Sequence, residues 1–96
     1  MTSDGRKDDV GKPRYDLVPT RALRALVDVL TYGAVKYGDW NWARVSNGRG
    51  RYTAALYRHL EAWRGGEAND PETGLPHLAH ALANLVFLFE VDHGPN

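Results

Sequence analysis

The chain contains no cysteine and carries no net charge. Its 96 residues include 12 Lys and Arg against 12 Asp and Glu. Without cysteine there is no disulfide framework, and charge neutrality argues against a general binder of nucleic-acid polymers or membrane surfaces, which usually carries a basic excess. A chain of this length forms one small domain that buries only about 60–65% of its unfolded surface. We therefore expect partner subunits to add to the core.

Long hydrophobic runs are missing as well. The start of the chain holds no apolar segment of the kind that a signal peptide needs, which argues against secretion. The most apolar stretch, residues 78–91, is interrupted by His80 and Asn84. It is also shorter than the roughly 20 residues that cross a bilayer. These absences predict a cytoplasmic protein without a membrane partner.

The balanced charge hides an asymmetry along the chain. Residues 1–64 hold all 12 basic residues and seven acidic ones, whereas residues 65–96 hold five acidic residues and no Lys or Arg. An acidic, histidine-bearing third that faces a basic remainder suits a metal or polyanion site between the two. It suits plain charge pairing between the segments equally well.

Helical periodicity predicts an all-α fold. Residues 1–12 are polar and predict a flexible N-terminal arm, and residues 13–96 predict a single all-α domain. The first helix is predicted to run from Thr20, as its N-cap, to Tyr37, because apolar residues recur at the i, i+3, i+4, i+7 spacing. Gly38 is placed to end this helix.

Two further helices are predicted on either side of an acidic loop. After a loop at residues 39–50, the second helix runs from about Arg51 to Arg64, and the third covers about residues 76–91. Residues 67–75 between them are dense in turn-forming types. The third helix is apolar around most of its circumference, and three helices of one chain cannot cover such a helix. We therefore expect a helical bundle completed by homo-oligomerisation, as a dimer or tetramer.

Histidines are the first candidates for chemistry. His77, His80 and Asn84 fall within about 60° of one another on a wheel of the third helix, so both imidazoles point the same way. His59 lies on the apolar stripe of the second helix, and antiparallel packing of the two helices would bring it near His77. Such imidazoles can coordinate a divalent ion or, when protonated, bind phosphate. The alternative is that they are core histidines bonded to backbone carbonyls.

Three carboxylates, Glu67, Asp70 and Glu72, occupy the loop between the histidine-bearing helices. Carboxylate oxygens suit Mg²⁺ or Mn²⁺. The alternative is an ordinary solvated turn, and for Glu72 we favour that alternative.

Cationic and aromatic side chains lie earlier in the chain. Arg51 and Arg58 are seven residues apart and share one face of the second helix, while Lys36 lies near the end of the first. Arg binds phosphate through paired hydrogen bonds and Lys binds it as a point charge. Aromatic rings can stack on a nucleobase, a contact worth about 1–3 kcal/mol, or they can fill a small core. The candidates are Tyr32, Tyr37, Trp40 and Trp42.

Three stretches together resemble one family. They are KPRYDLVPTRAL at residues 12–23, TYGAVKYGDWNW at 31–42 and RHLEAWRGGEANDPETGLPHLAHALANLVFL at 58–88. In order and spacing they resemble the small, largely phage-encoded dATP/dGTP diphosphohydrolase-like family, which is grouped with the MazG-like all-α nucleoside triphosphate pyrophosphohydrolases. The resemblance implies an oligomeric helical protein of the host cytoplasm. It also implies that, with Mg²⁺, the protein cleaves a (deoxy)nucleoside triphosphate between its α and β phosphates to give the monophosphate and pyrophosphate.

The metal-binding pattern of the wider group is replaced in this chain. MazG-like enzymes bind Mg²⁺ through Glu-x-x-Glu on one helix and Glu-x-x-Asp on the next, and the predicted helices carry neither pattern. The third helix begins with His77-x-x-His80 instead. A histidine-rich site can hold Mn²⁺ or another transition ion, or it can bind phosphates without a metal.

The leading hypothesis is a metal-dependent nucleotide diphosphohydrolase of the dATP/dGTP type. The residues predicted to be catalytic are His59, Glu67, His77 and His80, and these four together with Asp70 are predicted to bind the divalent ion, Mg²⁺ or Mn²⁺. The residues predicted to bind the nucleotide are Lys36, Tyr37, Asn41, Trp42, Arg51, Arg58 and Asn84.

Two other hypotheses stay open. The first is a nucleotide-binding protein without turnover, such as a phage sponge that sequesters a signalling nucleotide, and the replaced acidic ligands support it. The second is a small scaffold module in which the histidines are structural.

Overall fold

The computed structural model describes residues 5–94, which contain three α-helices and no strand. Helix α1 spans Thr20–Tyr37, α2 spans Gly48–Arg64 and α3 spans His77–His93. Short 3₁₀ turns cover Tyr15–Leu17 and Asn41–Arg44. The all-α class predicted from the sequence is confirmed. Of the predicted arm, residues 1–4 lie outside the described residues, and residues 5–12 are exposed and form neither helix nor strand.

Helix α1 begins and ends close to its predicted limits. Thr20 is the first helical residue rather than the N-cap, because Pro19 takes that place with an extended backbone (φ −62°, ψ 130°) that proline adopts without strain. Gly38 ends the helix at φ 98°, a left-handed conformation that costs a glycine little.

Helix α2 begins three residues before the predicted Arg51. The sequence GRGR at its start predicts a loop, since glycine is a poor helix former. Packing decides otherwise: a Cβ added at Gly48 would lie 3.2 Å from the Tyr52 ring, so the missing side chain leaves space for that ring. Asn47, at φ 51°, turns the chain into the helix.

Helix α3 follows an acidic loop, residues 67–75, that is closed at its base. An isolated bridge joins Asn69 to Pro76, and the Asp70 N–H donates a hydrogen bond to the carbonyl of Leu75 at 2.8 Å. The loop is therefore a compact turn whose carboxylates stay close to the first turn of α3.

Helices α1 and α2 both pack against α3, and within the described residues they do not pack against each other. The small core lies between α1 and α3, where Val29 meets Ala79 and Ala83, with Leu26 and Phe87 packed against them. Alanines on α3 let the flanking helix approach closely. Because α1 and α2 are held apart, a space opens between them over α3.

Much apolar surface on α3 remains exposed, including Leu85 at 52% and Phe89 at 59%. The Cα radius of gyration is 17.4 Å, against about 12–13 Å for a compact domain of this length. These features agree with the expectation that partner subunits complete the bundle, which stays a prediction. Within residues 5–94, no helix combines the length and the apolarity that crossing a membrane demands.

Candidate functional site

A cavity of about 810 Å³ fills the space between α1 and α2, with α3 as its floor. This volume lies within the range of about 300–1,000 Å³ that is typical of small-molecule sites. All seven residues predicted to bind the nucleotide line this cavity: Lys36 and Tyr37 at the end of α1, Asn41 and Trp42 in the following turn, Arg51 and Arg58 on α2, and Asn84 on α3. Three helices and one turn thus bring together side chains that lie up to 48 positions apart in the chain.

Cationic side chains reach the cavity from two of its walls. Arg51 and Arg58 project from one face of α2, and Lys36 projects from α1. The Lys36 ammonium lies 3.7 Å from a carboxylate oxygen of Glu72 and 5.2 Å from the centre of the Tyr37 ring. The adjacent Tyr37 side chain raises the pKa of Lys36 above its ordinary value, and the nearby Glu72 adds to the effect. Three cationic side chains suited to phosphate therefore line the cavity.

Aromatic rings form another part of the wall. Trp42 stacks on Phe87 of α3 with ring centres 5.1 Å apart and planes at 16°, and Tyr52 packs against the same Phe87 at 5.0 Å. Trp40 is 70% exposed and lies 6.1 Å from Trp42. One face of Trp42 is therefore already covered, while Trp40 offers a free ring to a ligand.

Asn84 is buried in the cavity floor. Its Nδ2 donates a hydrogen bond to the backbone carbonyl of His80, one turn earlier, at 2.8 Å. This bond fixes the amide plane and leaves the amide oxygen available to a ligand group.

The three histidines predicted to be functional meet at one point between α2 and α3. The Nδ1 atoms of His59 and His77 are 2.9 Å apart, and the ring of His59 stacks on that of His80 with centres 4.5 Å apart and planes at 9°. The antiparallel approach of the two helices at this end explains why residues 18 positions apart in sequence touch.

The acidic loop supplies carboxylates to the same point. Asp70 Oδ2 lies 3.6 Å from His80 Nε2, and the Thr73 hydroxyl bridges the two, at 3.3 Å from Asp70 and 2.7 Å from His80. Glu67 Oε1 lies 2.6 Å from His77 Nε2. Glu72 contributes only its backbone N–H, which donates to Asp70 Oδ1 at 3.0 Å.

Three of the five predicted metal ligands lie close enough together to share one ion. His59, Asp70 and His80 each offer one ligand atom, and these atoms lie within 4.8 Å of one another. Glu67 and His77 lie outside this group, bonded to each other. We call His59, Asp70 and His80 the triad. Two imidazoles and a carboxylate are a donor set that fits a divalent transition ion.

Electrostatics favour the protonation state that metal binding needs. Burial lowers the pKa of His59 below 6.5, and the neighbouring His80 and His77 lower it further. Burial also lowers the pKa of His80, although Asp70 partly opposes that shift. Burial alone would raise the pKa of Asp70, but the Glu72 N–H bond and the two imidazoles bring it below 3.8. At neutral pH the triad therefore offers neutral rings and an ionised carboxylate.

The triad and the cavity meet at His80. This residue belongs to the triad and also lines the cavity, as does its partner Thr73. His59 and Asp70 lie behind it.

Three further residues at the site have little or no signal in the sequence. The sequence marks Trp40 only as one of several aromatic rings. It does not single out Thr73 or Phe87, because a hydroxyl in a turn and a phenylalanine on an apolar helix carry no distinctive signal.

Comparisons with known proteins identify the family of this chain. The family described as "dATP/dGTP diphosphohydrolase, N-terminal" matches residues 2–95. A protein of Salmonella phage PMBT28 named dATP/dGTP diphosphohydrolase is 36% identical over 85 residues, which are 88% of this chain and 29% of that relative. No solved structure gives a significant match. The resemblance seen in the three sequence stretches is thereby confirmed, and the chain belongs to the dATP/dGTP diphosphohydrolase N-terminal family.

Proposed function

We propose that this chain binds a purine deoxynucleoside triphosphate of the dATP or dGTP type. With a divalent ion, Mg²⁺ or Mn²⁺, it cleaves that nucleotide to the monophosphate and pyrophosphate. The observation that carries the proposal is the cavity between α1 and α2, which joins three cationic groups, a set of aromatic rings and one edge of the triad. The name of the phage relative supports the substrate class. The chain spans 29% of that relative's length. The activity of the whole relative is therefore proposed for this chain.

The cavity has a polarity that orients a nucleotide. Arg51, Arg58 and Lys36 attract the triphosphate, and Arg can engage it through paired hydrogen bonds. The exposed ring of Trp40 offers a stacking surface for the base. In this orientation the phosphates lie towards His80, where the triad begins.

The triad would hold the divalent ion. Of the two ions expected, its two imidazoles favour Mn²⁺ over Mg²⁺, which prefers all-oxygen ligands. A bound ion supplies neutralisation of phosphate charge and strengthens water as a nucleophile. His80 is the residue that faces both the ion and the phosphates, and Asp70 is held towards it by Thr73.

A second candidate function is nucleotide binding without turnover, as in a sponge. One observation favours it: among the four residues predicted to be catalytic, only His80 lines the cavity. A ligand in the cavity would then contact the cationic and aromatic groups while the triad stays a structural element behind them.

One experiment separates the two candidates. The purified chain is incubated with dATP, dGTP and the other deoxynucleoside and ribonucleoside triphosphates, with Mn²⁺, with Mg²⁺ or with EDTA, and the mixture is analysed by chromatography before and after heat denaturation. Monophosphate that forms only with a divalent ion supports the hydrolase. Unchanged nucleotide that is released only on denaturation supports the sponge and overturns the hydrolase.

A matched pair of variants ties either result to the cavity. Arg58→Gln removes a cationic group that lines the cavity, whereas Arg64→Gln removes one from the exposed end of the same helix. Loss in the first variant and none in the second is expected. Equal behaviour of both variants would contradict the placement of the nucleotide in this cavity.

A further inference from the structure

His77 has no ring nitrogen left for a metal ion. Its Nε2 bonds Glu67 Oε1 at 2.6 Å and its Nδ1 bonds His59 Nδ1 at 2.9 Å. The ring is also nearly buried, at 5% exposure. The five predicted ligands therefore divide into the triad and an outer pair, Glu67 and His77.

The hydrogens in this chain of contacts can be placed from the chemistry of the groups. An ionised carboxylate can only accept, so the hydrogen between Glu67 and His77 belongs to His77 Nε2. A neutral imidazole carries one hydrogen, so His77 Nδ1 is an acceptor. The hydrogen between His77 and His59 then belongs to His59 Nδ1.

This arrangement leaves Nε2 of His59 with a free lone pair. Because Nδ1 of His59 is the atom that faces His77, Nε2 is the ring nitrogen left for the triad. A carboxylate behind a metal-ligating histidine fixes the tautomer and makes the ligand more basic. Here an extra imidazole lies between the carboxylate and the ligand.

We propose that Glu67 and His77 are positioning residues that hold His59 as its Nδ1–H tautomer, so that Nε2 of His59 binds a divalent transition ion together with Asp70 and His80. The inference rests on the metal-dependent form of the proposed function. It assigns to Glu67 and His77 a role different from ligation.

A coordinating nitrogen must offer a lone pair, and a His59 that carries its hydrogen on Nε2 has none there. Binding of an ion through Nε2 of His59 therefore requires the Nδ1–H tautomer.

The first test measures metal binding alone. Titration of the nucleotide-free chain with Mn²⁺ is followed by calorimetry, and the visible absorption of bound Co²⁺ reports the ligand set. Glu67→Ala is expected to weaken Mn²⁺ affinity about 10- to 100-fold while the Co²⁺ band keeps its shape. Asp70→Asn, which alters a ligand, is expected to change the band. Glu67→Gln restores an acceptor for His77 and is expected to recover part of the affinity.

Glu61→Gln is the matched control, because Glu61 is an exposed carboxylate on α2 outside the triad and the outer pair. Its Mn²⁺ affinity is expected to equal that of the unaltered chain. Glu67 is half-exposed, so its variants are expected to fold, and circular dichroism checks this. A Co²⁺ band that changes in Glu67→Ala as it does in Asp70→Asn would make Glu67 a ligand and overturn the proposal. So would an unchanged affinity, or no binding by the unaltered chain.

The second test observes the tautomer directly. Long-range ¹H–¹⁵N spectra of the metal-free chain, with ¹⁵N-labelled histidine at pH 8, are expected to show His59 as Nδ1–H in the unaltered chain and as a mixture in Glu67→Ala. The same mixture in both would overturn the proposal. If both tests succeed and no monophosphate forms, the positioning role stands and the hydrolase falls. If monophosphate forms with the ion while Glu67→Ala changes neither affinity nor tautomer, the positioning role alone falls.

Discussion

The phenol of Tyr52 donates a hydrogen bond to the backbone carbonyl of Trp42, with 2.7 Å between the oxygens. The bond ties α2 to the Asn41–Arg44 turn, and both aromatic rings pack on Phe87 of α3. Three elements thus meet at the aromatic wall of the cavity. These contacts hold the turn against α2 and α3 in a part of the chain where the described residues include no large side chain that is fully buried.

Replacing Tyr52 with Phe is expected to lower the free energy of unfolding by about 0.5–1.5 kcal/mol, since it deletes the hydrogen bond and keeps the ring. Urea denaturation followed by circular dichroism measures the change. Tyr57→Phe is the control on the same helix, where the side chain is 67% exposed, and no loss is expected. Equal losses in the two variants would contradict a special role for the Tyr52 bond.

The same phenol gives a prediction about alkaline pH. Burial raises the pKa of Tyr52 above 10.0, although the charge of Arg51 opposes the shift. The pKa of Tyr52 is therefore higher in the folded chain than in the unfolded chain. The neutral phenol makes its full contribution to the stability of the fold below pH 10, and this contribution is lost as the pH rises through the pKa of the folded chain. Absorbance at 295 nm is expected to show a phenolate that forms above pH 10 and is missing from Tyr52→Phe. A titration curve of the same shape in both proteins would contradict the shift.

Helical periodicity is enough to predict most of this architecture. The stripe of apolar residues gives α1 and α3 to within a few residues, and the spacing of Arg51 and Arg58 places them on one face. A helix face is a local property, so neighbouring residues determine it. Helical periodicity places the start of α2 three residues too far along the chain, because the close packing of Tyr52 over Gly48 is a tertiary effect.

The division of the histidines and acids into two sets could not be predicted. It depends on how the loop at residues 67–75 turns, which the bridge from Asn69 to Pro76 and the Thr73 hydroxyl decide. The sequence predicts that Glu67 and Asp70 lie near the histidines. Only the folded loop shows that Glu67 faces His77 while Asp70 faces His80.

Glu72 lies at the rim of the cavity, 3.7 Å from the Lys36 ammonium. Its carboxylate repels the negative charge of a triphosphate and competes with the phosphates for Lys36. Glu72→Gln is therefore expected to raise the affinity for dATP and dGTP about two- to five-fold at low salt, which corresponds to the weak energy of an exposed ion pair. The gain is expected to fade as salt screens the charge.

Fluorescence titration with a non-hydrolysed triphosphate analogue measures the effect of Glu72. Glu61→Gln is the control, because it removes an equal charge from a position outside the cavity, and its affinity is expected to stay unchanged. Weaker nucleotide binding in Glu72→Gln would contradict this electrostatic role. It would instead indicate that Glu72 binds the ion or the ligand directly.

Trp40 has a backbone conformation that its side chain disfavours. Its φ of 62° is left-handed, a region that costs a residue with a Cβ roughly 1–2 kcal/mol and costs glycine little. Bulky residues adopt it rarely, and backbone strain of this kind concentrates at functional sites. Since the ring is 70% exposed, its packing within the chain does not explain the strain, and we expect contact with a base in the cavity to be its reason.

Two substitutions separate the strain at Trp40 from the function of its ring. Trp40→Ala and Trp40→Gly both remove the ring, so both are expected to lose the same affinity for dATP, worth about 1–3 kcal/mol of stacking. Only the glycine relieves the backbone, so Trp40→Gly is expected to be more stable than Trp40→Ala by about 0.5–1 kcal/mol in urea denaturation. Ala43→Gly, a few residues on, where the backbone is right-handed, is expected to lose stability instead. A Trp40→Gly variant that is less stable than Trp40→Ala would show that the left-handed backbone is not under strain. An unchanged affinity for dATP in both variants would show that Trp40 does not bind the base.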